Sequence, residues 1–226
     1  MRPLQAAKSL KNAMDAFDIA GDATGRAKAG IWLAKAMIRK EKFNDAVQLL
    51  EQSLGVLGRT APESGEAVVG NTFLVYAYER LRESDKAAAH VLEVADTMPA
   101  VAMDNYQPLY GRQPVVRFSP ATESGQASGK VTLEFTVAED GTVRNAKVAE
   151  SSSNAKFEQA ALEAIATFRY MPQYENGSLR ATDTVKFSFY WQEDSHKASD
   201  IHAPRPPHMT NNINSGRRFG MENIGR

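Results

Sequence analysis

Hydrophobic and polar residues alternate with a period of two in two stretches of the second half of the chain. The apolar positions of the first stretch are Val131, Leu133, Phe135 and Val137. Those of the second stretch are Val185, Phe187, Phe189 and Trp191. Because successive side chains of a strand point to opposite faces, this alternation predicts two strands that each bury one face.

A hairpin is predicted after the first strand. Asp140 and Gly141 form a dipeptide that tolerates the positive φ of a tight turn. The return strand is expected at about residues 142–149, where Val143 is out of phase with Ala146 and Val148. A change of face within one strand indicates a β-bulge, so we expect one in this strand.

A helix is predicted between the hairpin and the closing strand. Residues 151–154 (SSSN) offer side-chain oxygens that cap a helix start, and Pro172 ends the helix. The apolar positions that share one helical face are Phe157, Ala161, Leu162, Ile165 and Phe168. Asn176 and Gly177 predict a turn before the closing strand. The order β-β-α-β predicts a small α+β domain with one helix over one sheet.

The first hundred residues follow a helical period instead. Phe43, Ala46 and Leu50 have the same spacing as Asp85, Ala88 and Leu92, and the stretches 30–37 and 72–81 before them are the expected partner helices. Small residues followed by a large one are typical of stacked helical pairs. The pattern resembles tetratricopeptide repeats, with residues 4–20 as part of an incomplete first repeat and the loop 58–65 accounting for the long spacing. An ordinary helical bundle fits the same period and remains open.

These patterns predict the fold class α+β, with an all-α helical-repeat domain followed by the β-β-α-β domain. We expect the repeat domain at residues 1–98, a linker at 99–120, the second domain at 121–192 and a disordered tail at 193–226. The linker contains four prolines, and the tail has few large apolar residues, which is typical of disorder.

A set of short motifs in the second domain resembles a known family. They are Gly129, Asp140-Gly141, Ser151-Ser152, Phe157, Ala160-Ala161, the FRYMP sequence at 168–172, Asn176-Gly177 and Val185-x-Phe187. Together, residues 114–191 resemble the C-terminal domain of TonB-family energy transducers, which bind outer-membrane transporters from the periplasmic side.

The resemblance implies a non-enzymatic protein whose closing strand offers an edge to a partner. A TonB-box-like peptide of an outer-membrane transporter would add there as another strand, held by main-chain hydrogen bonds. The partner-binding residues implied in this way are Thr184, Val185, Lys186, Phe187, Ser188, Phe189, Tyr190 and Trp191. Of these, Lys186, Ser188 and Tyr190 are expected on the outer face. The resemblance also implies a periplasmic or other cell-envelope location.

Composition excludes several other classes of function. The net charge is zero and the charges are dispersed, which is unlike the basic stripe of a nucleic-acid-binding protein. There is no cysteine, so disulfides, thiolate catalysis and cysteine-based zinc sites are excluded. No run approaches the roughly 18 apolar residues of a membrane span. No export signal or anchor is recognised, so we expect either a part of a longer transducer or an auxiliary member.

No catalytic, metal or cofactor site is predicted. Gly125, Gly129 and Lys130 fall one residue short of a phosphate-binding loop, and a strand rather than a helix follows. The serines at 151–153 are explained by helix capping. The tail histidines 196, 202 and 208 fit no standard ligand spacing, and His90 is expected on a helix surface.

Two interpretations follow. In the first, the helical repeats bind one unknown protein and the second domain binds a transporter by strand addition. In the alternative, the protein is a helical-repeat scaffold in which the TonB-like domain is only a structural module. A signal or membrane segment encoded upstream of Met1 would favour the first.

Overall fold

The computed structural model describes residues 3–97, 108–115, 128–175, 177–192 and 221–223. The chain divides into two compact units, Met1–Met98 and Pro99–Arg226. The first unit is helical and the second contains a sheet and a helix. The predicted α+β class is therefore confirmed.

In the first unit, each helix packs against its neighbours along the chain. Its helices are α1 (Pro3–Ala20), α2 (Ala23–Ile38), α3 (Phe43–Thr60), α4 (Gly65–Leu81) and α5 (Ser84–Thr97). The helix α2 packs against α1 and α3, and α4 packs against α3 and α5. The predicted loop at 58–65 is shorter than expected, because α3 continues to Thr60. The long spacing between the two related patterns therefore comes mainly from the lengths of α3 and α4, which have 18 and 17 residues, rather than from the loop.

Small residues allow these helices to pack closely. A Cβ on Gly70 would lie 2.7 Å from Ile31 Cδ1 and 2.9 Å from Leu54 Cδ2, so a larger residue does not fit without movement of its neighbours. Asp22 caps α2 by accepting a hydrogen bond from Gly25 N at 2.7 Å. Such caps satisfy backbone donors that the helix itself leaves open.

His90 differs from the expected surface residue. Its Nδ1 lies 2.9 Å from Asn71 Oδ1, and its ring stacks on Tyr78 with centroids 5.6 Å apart. The Tyr78 hydroxyl donates a short hydrogen bond to Glu51. Burial lowers the pKa of His90, although Glu93 and Glu51 partly oppose this shift. The side chain is half-buried because α4 packs over the face of α5 that carries it.

Among the described residues of the second unit are one helix and a sheet of four strands. Its elements are β1 (Ser128–Val137), β2 (Val143–Ser151), α6 (Ala155–Ile165), β3 (Gln173–Glu175), β4 (Ser178–Arg180), β5 (Thr182–Gln192) and β6 (Met221–Asn223). The sheet order is β2-β1-β5-β6, and β3 pairs only with β4. The pairs β1–β2, β1–β5 and β5–β6 are all antiparallel.

The core of this unit lies between α6 and one face of the sheet. The helix contributes Phe157, Ala161, Ala164 and Ile165. The strands contribute seven of the eight alternating positions expected from the sequence, and the side chain of Trp191, the eighth, lies outside the described part of the structure. Asn154 caps α6 by accepting a hydrogen bond from Phe157 N at 3.0 Å. The predicted bulge is confirmed, because the β1–β2 register shifts twice and Asn145 has a φ of 54°.

Three features of the second unit were not predicted. A short hairpin, β3–β4, is present where only a turn was expected. Part of the expected linker contacts the unit, since Leu109 N donates to Arg169 O at 2.7 Å and Arg169 N donates to Tyr110 O at 2.9 Å. Within the tail expected to be disordered, Met221–Asn223 forms a strand. The linker contact and the strand β6 both arise from hydrogen bonds between main-chain groups. The pattern of hydrophobic and polar side chains does not predict such bonds.

Candidate partner-binding edge of the sheet

The predicted partner-binding residues all lie in β5, the longest strand of the sheet. This strand pairs with β1 in a continuous register from Ser128 opposite Gln192 to Phe135 opposite Val185. Nothing interrupts the pairing over this length. One side of β5 is therefore fixed by β1, and its other side faces β6.

The regular part of β5 ends at a bulge near its start. The register with β1 shifts between Phe135 and Val137, and Thr184 has a φ of 63°. A left-handed conformation is rare for a β-branched residue and indicates local strain. Thr136 Oγ1 donates to Asp183 Oδ1 at 2.9 Å beside this bulge. The straight edge of β5 therefore begins after Thr184 and comprises residues 185–192.

Aromatic packing holds the inner face of β5. Phe187 and Phe189 are buried, with ring centroids 5.0 Å apart. Phe168 packs against both of them, at 5.1 Å from Phe187 and 5.8 Å from Phe189. Edge-to-face aromatic contacts of this kind each contribute about 0.5–1.5 kcal/mol beyond the burial of area. The core therefore fixes the position of the strand backbone.

The sequence predicted an exposed Ser188 on the outer face, and the structure differs from this prediction. The Ser188 side chain is fully buried, and its Oγ lies 2.9 Å from Thr132 Oγ1 on β1. The shorter Ser188 side chain lies between Lys186 and Tyr190, which are its neighbours on the same face of the strand. Lys186 and Tyr190 are partly exposed, so the prediction is correct for these two residues.

Charged and aromatic side chains surround this buried pair of hydroxyl groups. Glu134 lies 2.7 Å from Lys147 Nζ and 4.0 Å from Lys186 Nζ. The hydrogen bond from Lys147 lowers the pKa of Glu134. Lys130 Nζ lies 5.4 Å from the centre of the Tyr190 ring. The described side chains around this pair are therefore mainly charged and polar.

The strand β6 covers the middle of the β5 edge. Phe187 pairs with Asn223, Ser188 with Glu222 and Phe189 with Met221. The chain itself therefore shows that this edge accepts an additional antiparallel strand.

The opposite edge of the sheet is irregular. Besides the two register shifts in its pairing with β1, β2 carries the positive φ of Asn145 and an ion pair between Arg144 and Asp140 at 3.4 Å. Bulges and charged residues are the usual means by which proteins protect an edge strand against further pairing. The β5 edge is therefore better suited than the β2 edge to bind a strand.

Comparison with protein families agrees with this geometry. Residues 114–191 match the family model of the Gram-negative bacterial TonB protein C-terminal. The resemblance derived from the sequence motifs is thereby confirmed. The TonB family is a non-enzymatic family of energy transducers associated with the cell envelope, and its C-terminal domain implies interaction with outer-membrane receptors. The comparison with curated proteins found no match.

The described parts of the chain also bear on membrane insertion and on metal binding. No helix there is both long and apolar enough to cross a membrane. Within the same residues, no group of histidine and acidic side chains is arranged to hold a metal ion. The tail histidines at 196, 202 and 208 lie outside the described residues. The sequence did not predict β6 or the hydrogen bond between Ser188 and Thr132. The strand β6 is recognised from its backbone pairing with β5.

Proposed function

We propose that this protein is a non-enzymatic, TonB-like binding protein of the periplasm that captures a segment of an outer-membrane transporter by strand addition to β5. The observation that supports this proposal most directly is the straight β5 edge, which already carries an antiparallel strand. The binding residues of this proposal are those of 184–191, acting mainly through their main-chain groups.

The rigidity of β5 favours this mode of binding. Its inner aromatic residues are buried against Phe168, and its other side is paired with β1. A preformed strand loses little conformational freedom when a partner pairs with it, and a lower ordering cost favours affinity. The net gain per hydrogen bond is about 0.5–1.5 kcal/mol, so a partner must pair over several residues to bind well.

A binding titration combined with hydrogen exchange tests this proposal. Synthetic peptides with the sequences of N-terminal periplasmic segments of outer-membrane transporters are titrated into the full chain. We expect binding to slow amide exchange in β5 and to leave β2 unchanged. The matched control is a peptide in which alternate residues are proline, because proline cannot donate to a strand ladder. Equal binding of the control, or protection confined to β2 or the helical unit, would contradict strand addition at β5.

A scaffold function is the second candidate, and the position of β6 favours it. If β6 holds the edge permanently, the second unit serves only as a structural module, and partners bind the helices α1–α5. In that case, transporter peptides would produce no change in β5 exchange at any concentration. The same titration therefore separates the two functions.

A further inference from the structure

The strand β6 occupies the backbone groups that the proposed function requires. It pairs with Phe187, Ser188 and Phe189, which lie in the middle of the straight edge. A main-chain N–H donates one hydrogen bond at a time, so two strands cannot pair with the same stretch of β5 edge. A partner strand centred on Ser188 therefore has to replace β6.

We propose that β6 is an internal competitor, which covers the partner-binding edge and is displaced when a partner strand binds. This inference rests on the proposed function and adds its regulation. The occupant of the edge in the absence of a partner is the segment Met221–Asn223 of the same chain. The partner is an extended peptide that pairs with a longer part of β5.

The difference in length between the two ladders supports displacement rather than permanent closure. The strand β6 has three residues, whereas β5 has eleven. On either side of the three covered positions, β5 extends to Thr182 and to Gln192. Each additional hydrogen bond contributes about 0.5–1.5 kcal/mol net. A peptide that pairs from Val185 to Trp191 thus has more pairing available to it than β6 does.

The covalent connection explains why a strand of three residues is able to compete. A tethered segment acts at an effective concentration of about a millimolar when its linker reaches the site. A weak interaction is then sufficient to hold the edge for most of the time. If β6 covers the edge for nine-tenths of the time, the apparent affinity for a partner is reduced about tenfold.

The test uses the full chain with two substitutions in β6. Adjacent residues of a strand direct their main-chain N–H groups to opposite sides, so one of Met221 and Glu222 directs its N–H at β5. The double variant Met221→Pro/Glu222→Pro therefore removes that donor in either case. The matched control, Met221→Ala/Glu222→Ala, keeps both donors. The first probe is a labelled synthetic peptide of residues 216–226, added to wild type and to both variants. Its affinity is measured by fluorescence polarisation, and amide exchange at 187–189 is followed in parallel.

We expect the peptide to bind the proline variant about tenfold more tightly than wild type or the alanine variant. We also expect faster exchange at 187–189 in the free proline variant, with protection restored by the added peptide. Equal affinity for all three proteins, together with unchanged exchange, would show that β6 does not control this edge.

A second probe separates this inference from the proposed function. Transporter peptides that bind the proline variant about tenfold more tightly than wild type would support both. Transporter peptides that bind all three proteins equally would overturn the competition and leave the proposed function intact. If the 216–226 peptide binds the proline variant more tightly but transporter peptides do not bind it, the proposed function fails, whereas the covering of this edge by β6 stands.

Discussion

The buried hydrogen bond between Ser188 and Thr132 predicts a strong energetic coupling between two strands. The two hydroxyl groups lie 2.9 Å apart, and the two residues expose 0% and 2% of their surface. Ser188→Ala removes one partner and leaves the Thr132 hydroxyl buried without it. An unsatisfied buried hydroxyl costs about 1–3 kcal/mol. We therefore expect Ser188→Ala to lower the free energy of unfolding of the second unit by about that amount.

The converse change completes a double-mutant cycle. Thr132→Val keeps the shape of the side chain but leaves Ser188 unpaired, so we expect a loss of about 1–3 kcal/mol here as well. In the double variant neither hydroxyl remains, and replacing both partners by apolar groups is close to neutral. The two single losses sum to about 2–6 kcal/mol, so their sum should exceed the near-neutral double effect by about that amount. The lower part of this range overlaps the upper part of the about 0.5–3 kcal/mol measured for residues in contact.

The assay must report on the second unit alone, because two units do not unfold as a single two-state system. The chain has two tryptophans, one in α2 and one in β5. In a Trp32→Phe background, fluorescence during urea unfolding therefore reports on β5. Additive single effects would refute the reasoning, and so would a silent Ser188→Ala. Because strand addition uses the backbone, Ser188→Ala should leave the affinity for a strand peptide within about twofold.

Substitutions at five further residues test other parts of the structure. Burial raises the pKa of Tyr170, and its hydroxyl has no hydrogen-bond partner among the described residues. Urea unfolding should therefore show that Tyr170→Phe is neutral or stabilises the second unit by about 1 kcal/mol. Both Gly70→Ala and Gly55→Ala lie within helices and should gain about 1 kcal/mol of helix propensity. A Cβ at Gly55 enters open space, whereas one at Gly70 overpacks against Ile31 and Leu54 at a cost of about 1–3 kcal/mol, so Gly70→Ala should give the lower melting temperature of the two. Asn154→Ala should cost about 1 kcal/mol through loss of the helix cap, and Asn154→Ser should restore most of it. Burial lowers the pKa of His90 below its ordinary 6.5, so the unfolded chain binds a proton more readily than the folded one. The stability of the first unit should therefore fall as pH decreases from about 7 to 5, and His90→Gln should flatten this dependence.

The sequence predicted those parts of the fold in which one face is buried along a regular element. The alternation around Leu133 and Phe187 identified β1 and β5, and the helical spacing from Phe157 identified α6. The irregular phase at Val143 correctly indicated a bulge. In each of these cases burial of side chains against one core determines the pattern, so the pattern is visible in the residues themselves.

Other features depend on neighbours that are distant along the chain. The burial of His90 depends on Tyr78 and Asn71 of α4, and a helical period on α5 alone does not reveal that packing. Ser188 occupies an outward position in the alternation, yet its small side chain hydrogen-bonds Thr132 across the ladder. Regular periodicity identifies the face on which a residue lies, but the exposure of that residue depends on the size of its neighbours.

The contrast between the two edges connects the fold to its function. An unprotected straight edge exposes a protein to aggregation, so edges are normally interrupted, charged or covered. The β2 edge is interrupted by its bulges and charged residues, and this protection is built into its geometry. Beyond the bulge at Thr184, the β5 edge keeps a regular backbone from Val185 to Gln192. Among the described residues, a short strand from a distant part of the sequence covers its middle. A bulge within the regular stretch 185–192 would protect this part of the edge permanently, as the bulges of β2 do for theirs. A removable cover protects the edge and still allows a partner to bind. The form of protection at β5 is therefore itself an argument that the edge is used.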